Sequence, residues 1–269
     1  MPPAKDVAAC ETVADWAEMA ISILGSFRIA GPEHAIDLTA PRQQIVLAML
    51  LWNANRVVPI DRLIDAVWRH SPPATARSQV HICVGAIRKR LARCGIHGLV
   101  TTHPPGYRAA LDGDQLDLHV FDRLVETARR LRLAGNLDGA AERFGEALRM
   151  WHGQPFAGID SELVRSIATQ IGERRLSVLE EYFDLEIEIG RAATTIEELR
   201  EHIEENPFRE RLRAQAIVAL CRTGRRVEAL REYRETRALF VRELGLEPGS
   251  ELRRLEREIL AGSTVSGLL

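Results

Sequence analysis

The sequence predicts a mainly α-helical protein with a small β component: a winged helix-turn-helix at residues 20–111, then an all-α domain at residues 112–262. Three observations carry this. The first part orders its elements as strands, three helices and a closing hairpin, the succession that builds a winged helix. The second part spaces its apolar residues at the helical period throughout. Within it a glycine–alanine–aromatic spacing occurs twice, the mark of a repeated helix pair. Residues 1–19 form an acidic extension, with a short helix around Val13–Met19, and residues 263–269 form a tail.

Ile21, Ile23, Phe27 and Ile29 alternate with small or polar residues and read as a strand; Gly31-Pro32 turns the chain and Ala35–Leu38 offers the return strand. A helix starts after Pro41, buries Ile45, Leu47, Ala48, Leu50 and Leu51, and ends near Asn53 or Asn55. Val57-Val58 is a short extended piece. Pro59–Trp68 is the second helix, with Ile60, Leu63, Ile64 and Val67 on one face. The third runs from Ala74 to Arg93, after Pro72-Pro73. Its Val80, Val84, Ile87 and Leu91 lie within about 40° of one direction, which makes them its core stripe. The opposite face carries Ser78, Ile82, Gly85 and Lys89. Thr75, Ala86 and Arg93 flank it on one side, His81 and Arg88 on the other. Gly98–His103, the turn Pro104-Pro105-Gly106 and Tyr107–Leu111 close the unit as a hairpin.

Beyond Asp112 the spacing predicts helices at about 118–133, 137–150, 160–190, 194–205, 208–223, 226–243 and 249–261. Gly135 is followed by Ala140 and Phe144 at intervals of five and four, and Gly224 by Ala229 and Tyr233 at the same intervals. Small residues there let paired helices approach closely while the aromatic fills the gap, an arrangement similar to tetratricopeptide packing. Pro207 and the Gly245–Gly249 segment break helices where turns are needed.

Charge divides the chain in the same way. The net charge of −2 is made of +7 over residues 20–110, −3 over residues 1–19 and −6 over residues 111–269. A basic block joined to an acidic one points to nucleic acid on one side and a protein partner on the other. Only Lys5 and Lys89 are lysines and neither follows a glycine, which excludes a phosphate-cradling GxxxxGK loop. The four cysteines (Cys10, Cys83, Cys94, Cys221) show no CxxC pair and no histidine at zinc spacing, so reduced thiols in a cytosol are expected, with no metal and no cofactor. The longest apolar run, Ile45–Trp52, is too short to span a bilayer, and residues 1–19 lack the apolar centre of a signal peptide. No paired carboxylates, nucleophile elbow or HExxH spacing appears, so no enzyme is expected; Asp160 and Glu162 read as a helix start.

A helix with one apolar and one polar, partly basic face can lie in the major groove, where base edges are distinguishable. Ser78, Gly85 and Ala86 are small enough to let the backbone close to the bases. Arg88, Lys89, Arg90 and Arg93 supply charge toward phosphates, which positions without specifying. A hairpin tip bearing His103 reaches toward the neighbouring minor groove. The blander readings stand beside these: Arg88–Arg93 as a solvated face, His81 and His103 as surface histidines, Trp68 as a packing residue at a helix end, Cys83 as an inert thiol. Thr75, Arg77 and Arg108 complete the set of residues expected near DNA.

The chain resembles the Streptomyces antibiotic regulatory protein family of transcription activators, in which an OmpR-like winged helix precedes a bacterial transcriptional activation domain. The resemblance is carried by Leu24-Gly25, by PRQQIVLAMLLWNANRVVPIDRLIDAVW (Pro41–Trp68), SPPATARSQVHICVGAIRKRL (Ser71–Leu91) and PPGYRAAL (Pro104–Leu111). LDLHVF (Leu116–Phe121), MWHGQPF (Met150–Phe156) and the long string from NPFRERL to REIL (Asn206–Leu260) extend it. It implies binding to direct repeats in double-stranded promoter DNA and recruitment of the RNA polymerase holoenzyme, including its sigma factor, to genes of secondary metabolism such as antibiotic biosynthesis. It places Ser78, Ile82 and Lys89 on the groove-facing positions, His103 at the wing tip, and Trp68 within reach of a phosphate. Direct repeats imply a head-to-tail homodimer on DNA with protomers about one helical turn, 10–10.5 bp, apart. It also implies a cytoplasmic, nucleoid-associated protein without membrane contact.

Two departures from the family pattern bear on this. Gly85-Ala86 stand where members commonly carry Ser-Arg, so an arginine able to grip a guanine is missing. The acidic start is an upstream start codon or a regulatory arm. The chain stops after the activation-domain string and is expected to be a small, single-output member. The rival reading is a helical-repeat adaptor that uses the winged helix to dock protein.

Overall fold

The computed structural model describes residues 20–31, 35–36 and 38–262. Expectations for residues 1–19, Pro32 and residues 263–269 lie outside them. The chain divides into two compact units, one running through Asp122 and including Met150–Gly172, the other made of Arg123–Arg149 and the residues from Glu173 onward.

In the first unit, β1 (Ala20–Ser22), β2 (Arg28–Ala30) and β3 (Ala35–Ile36) form an antiparallel sheet in that order. Ile21 pairs with Ile29 and both are buried, as their alternation predicts. The strand expected across Ile21–Ile29 is, however, broken in the middle. Ile23, Leu24 and Gly25 are all buried, and their backbone bonds to later chain instead of to a sheet neighbour. The His152, Phe156 and Ala157 N–H groups donate to the carbonyls of Leu24, Ile23 and Gly25, each at 3.0 Å. The Ile23 and Leu24 N–H groups donate to Asp117 Oδ2 at 2.8 and 3.0 Å. A Cβ at Gly25 would sit 3.2 Å from the His152 backbone, a tight approach that glycine avoids. These contacts bring the 150–172 segment and the start of the fourth helix into this unit.

Three helices follow: α1 (Pro41–Trp52), α2 (Ile60–Trp68) and α3 (Ala76–Arg93). Proline at the first position of α1 has no N–H to satisfy and a φ already suited to the helix. Ile45–Leu51 are buried without interruption, whereas α2 buries only Ile60, Leu63 and Ala66. The third helix begins two residues later than its spacing predicts, Thr75 being its N-cap residue. β4 (Val58–Pro59), β5 (Val100–His103) and β6 (Gly106–Ala109) make a second antiparallel sheet in the order β4–β6–β5, which is the wing.

The second unit is helical among the described residues. The helices bounding it are α4 (Asp117–Leu133), α5 (Leu137–Arg149), α6 (Glu162–Glu188), α7 (Ala192–Glu205), α8 (Glu210–Arg222), α9 (Arg226–Leu244) and α10 (Ser250–Ala261). The division between the units falls inside α4 and α6. The repeated spacing has a physical counterpart. Gly135 and Gly224 turn the chain between helices at φ of 79° and 77°, which favours glycine, and Ala140, Phe144, Ala229 and Tyr233 are all buried. Leu212–Leu220 of α8 are buried on every side, including Arg213 and Gln215. The arginines of the NPFRERLRAQ string serve this burial. Arg209 donates to Glu180 at 2.7 Å and Glu173 at 2.8 Å, Arg211 to Asp184 at 2.5 Å, and Arg213 to the Pro207 carbonyl at 2.7 Å. Gln215 donates to the Glu180 carbonyl and to Asp184, both at 2.7 Å. Buried charges with such partners are tolerated where lone ones are not.

Candidate nucleic-acid interface

The core stripe of α3 is the one read from the sequence: Val80, Val84, Ile87 and Leu91 are buried, joined by Ala76. Anchoring that stripe fixes what faces outward. Thr75, Ser78, Ile82, Gly85 and Lys89 are exposed along one face, with Arg77 and Arg93 exposed beside it and Arg90 half-buried on the flank. Ile82 is 69% exposed in the middle of this face. A Cβ at Gly85 would meet nothing within 4 Å, so the backbone there is open to close approach.

The two flanks of α3 are tied to different neighbours. On the wing side, Arg88 Nε donates to the Val100 carbonyl and Nη2 to Thr102 Oγ1, both at 2.8 Å, and its Cζ lies 5.6 Å from the Tyr107 ring centroid. His81 Nδ1 and the Tyr107 hydroxyl share a hydrogen bond of 2.5 Å, with their rings edge-on. The sequence placed Arg88 among the phosphate-facing residues; here two of its nitrogens hold β5 against α3, which makes it a positioning residue for the wing. On the other side, Arg42 lies 5.2 Å over the Trp68 ring and donates to Gln79 Oε1 at 2.6 Å, and Gln79 donates to Thr75 Oγ1 at 2.9 Å. Trp68 is half-buried beneath that guanidinium. Arg77 pairs with Asp61 at 3.0 Å with both side chains exposed, a pair worth little in water and easily exchanged for another anion.

At the wing, Pro104 and Pro105 are exposed at the tip between His103, which is half-buried, and Gly106. Arg108 on β6 is half-buried, and its buried Nε has no hydrogen-bond partner among the described residues. Burial pushes the Cys83 thiol up, consistent with an unreactive side chain. Among the described residues no group of three or more His, Cys, Asp or Glu is placed to hold a metal ion, and no helix is long and apolar enough to cross a membrane.

Three residues of this site were absent from the sequence reading. Tyr107 receives both His81 and Arg88. Arg42 organises the start of α3. Asn55, in the left-handed region at φ 64°, closes a two-point bond with the Leu111 N–H and carbonyl and so fixes the base of the wing. The asparagine could be recognised from its position just after a helix, where this residue type adopts positive φ; the partners of Tyr107 and Arg42 are too distant in sequence to leave a local signal.

An expected result follows from the Arg88 geometry. Arg88→Ala should lower stability by about 1–2 kcal/mol and weaken duplex binding by freeing the wing, while leaving the salt dependence unchanged. A direct phosphate contact would instead reduce the log–log salt slope by about 0.9. Titrating duplex binding at several salt concentrations separates the two.

Comparison with known proteins assigns the chain to a family. A family model described as "Transcriptional regulatory protein, C terminal" matches residues 33–109, and one described as "Bacterial transcriptional activator domain" matches residues 116–260. Regulatory protein DnrI of Streptomyces peucetius is 30% identical over 250 residues, covering 90% of this chain and 92% of DnrI. The chain belongs to the Streptomyces antibiotic regulatory protein family. Other members of this family of transcriptional regulators are similar over less of their own length. Transcriptional regulatory protein EmbR of Mycobacterium tuberculosis is 35% identical over 243 residues, covering 87% of this chain and 63% of EmbR. Regulatory protein AfsR of Streptomyces coelicolor is 33% identical over 240 residues, covering 88% of this chain and 24% of AfsR. The structure of Mycobacterium tuberculosis EmbR in complex with a low affinity phosphopeptide superposes with a TM-score of 0.87 at 32% identity, covering 93% of this chain and 66% of that one. The chain thus spans under two thirds of EmbR and about a quarter of AfsR, and α3 and the wing strands lie within residues 33–109 matched by the first family model.

Proposed function

We propose that this regulator is a sequence-specific DNA-binding activator that binds direct repeats in promoters and recruits the RNA polymerase holoenzyme, including its sigma factor, to genes of secondary metabolism. The observation that carries this reading is the outward face of α3. Five exposed positions without a packing role, Thr75, Ser78, Ile82, Gly85 and Lys89, lie in line, flanked by exposed arginines, with a wing clamped alongside. Residues 20–111 supply the DNA contacts: Ser78, Ile82 and Lys89 toward bases, Thr75, Arg77, Arg90 and Arg93 toward the backbone, His103 and Arg108 from the wing, and Trp68 with Arg42 beside a phosphate. Residues 112–262 supply contacts between head-to-tail protomers and to polymerase. The protein acts in the cytoplasm, on the nucleoid.

Selection of duplexes from a random pool, followed by affinity measurements against salt, tests this. The expected result is a motif repeated at about 10–10.5 bp with a steep salt dependence. Recovery of no motif, with weak and uniform binding, would replace this reading with protein docking by the winged helix. On the recovered duplex, Lys89→Ala is expected to raise Kd about tenfold, in line with the ~1–3 kcal/mol carried by a good base contact, and Ser78→Arg to change the sequence selected. Wild-type affinity and selection in both variants would remove the groove placement of α3.

A further inference from the structure

We infer that Ile82 reads the methyl group of a thymine, so that each half-site of the operator carries a thymine at one fixed position. This rests on α3 being the groove-reading helix, as proposed above, and specifies what that helix recognises.

A single exposed apolar residue is ordinary on a protein surface; the position of this one is what carries the argument. Ile82 is 69% exposed and stands at the centre of the outward face of α3, one turn from Ser78 and two from Thr75 and Lys89. Next to it Gly85 has open space where a side chain would be. Small neighbours let the helix backbone come close, so the isoleucine becomes the most protruding carbon group on the face.

In the major groove the apolar feature of the base edges is the C5-methyl of thymine, the rest being donors and acceptors. The remaining members of the face narrow the choice further. Ser78 and Thr75 bear hydroxyls that suit either donors or acceptors. Gly85 and Ala86 bear nothing polar, and Lys89, whose ammonium can donate to guanine, stands two turns away from Ile82. None offers the two-point amide that matches adenine or the guanidinium fork that matches guanine. Discrimination at the middle of the site therefore falls to an apolar contact, and isoleucine against a methyl group is the pairing that removes carbon surface from water on both sides.

The test uses the full chain and the duplex recovered by selection, with each thymine replaced in turn by deoxyuridine, which lacks only the methyl. One thymine per half-site is expected to show about a fourfold rise in Kd, the equivalent of ~0.8 kcal/mol for one buried carbon group. In Ile82→Ala the thymine and uracil duplexes should bind equally. Cytosine at the same position should bind more weakly than thymine, and 5-methylcytosine should recover about fourfold of the loss. If every thymine tolerates uracil, or if the same penalty persists in Ile82→Ala, the inference is overturned while duplex binding stands. If the selection returns no site, the DNA reading itself is overturned and this inference with it.

Discussion

Replacing Gly106 with alanine is expected to destabilise the first unit by about 3 kcal/mol or more and to abolish specific duplex binding. The reason is steric. A Cβ at this position would lie 1.8 Å from the Val58 carbonyl oxygen and 2.8 Å from Pro59 Cα, which is strand backbone with no side-chain freedom to yield. Gly106 opposes Pro59 in the β4–β6 pairing, and Tyr107 opposes Val58 one residue on. To admit the methyl group the two strands must part. Tyr107, which receives Arg88 and His81 from α3, would move with β6. The same substitution at Gly85 makes a sharp control. That glycine is inside a helix with nothing within 4 Å of the new carbon, so Gly85→Ala should stabilise by about 0.5–1 kcal/mol. Urea denaturation of both variants, with duplex affinity measured alongside, decides the matter. Wild-type stability in Gly106→Ala would mean that β4 and β6 are not paired as described.

What could be read from the sequence was what is local in the chain. Apolar residues at helical spacing declare a helix from within a few turns, and the helices after Asp112 fall within two or three residues of their expected ends. The core stripe of α3 was legible for the same reason, and so was the face opposite it. The break in the first strand was not legible, because Ile21, Ile23, Phe27 and Ile29 keep a strand-like alternation and what captures the N–H groups of Ile23 and Leu24 is a carboxylate 94 and 93 residues away. Arg88 shows the same limit within the site. Its angle on the helix places it on the flank of the outward face, where charge suggests a phosphate; its actual partners sit on β5, and only the folded wing brings them together. The arginines of the Asn206–Leu260 string were read only as a family signature. Of these, Arg209 and Arg211 satisfy carboxylates of α6 and Arg222 a carbonyl of α6, beside a helix buried on every side.

Asp117 ties the broken first strand to the start of α4. It stands in the first turn of α4, where a carboxylate suits the helix dipole. It accepts three backbone N–H groups: Ile23 at 2.8 Å and Leu24 at 3.0 Å on Oδ2, and Leu118 at 2.8 Å on Oδ1. Asp117→Ala leaves the first two of these donors without that acceptor, at about 1–3 kcal/mol each, and is expected to cost about 4 kcal/mol. Asp117→Asn keeps the shape but turns an amide NH2 toward one set of N–H donors, so it should cost about half as much. The pH dependence separates the charge from the shape. Burial pushes the Asp117 carboxyl from its ordinary 3.8 up to about 6, against the pull of the Leu24, Ile23 and Leu118 N–H groups. The folded state therefore takes up this proton more readily than the unfolded state. The stabilisation from that uptake is fully present below pH 3.8 and is lost as pH rises through about 6. Between pH 7 and pH 5 the wild type should gain about 1.3 kcal/mol relative to Asp117→Asn, which has no proton to take up at this position. Urea denaturation of both proteins across that range measures the difference directly. A gap that stays flat, or one that narrows as the pH falls, would show that the donor N–H groups outweigh burial and that the carboxylate stays ionised in the folded protein.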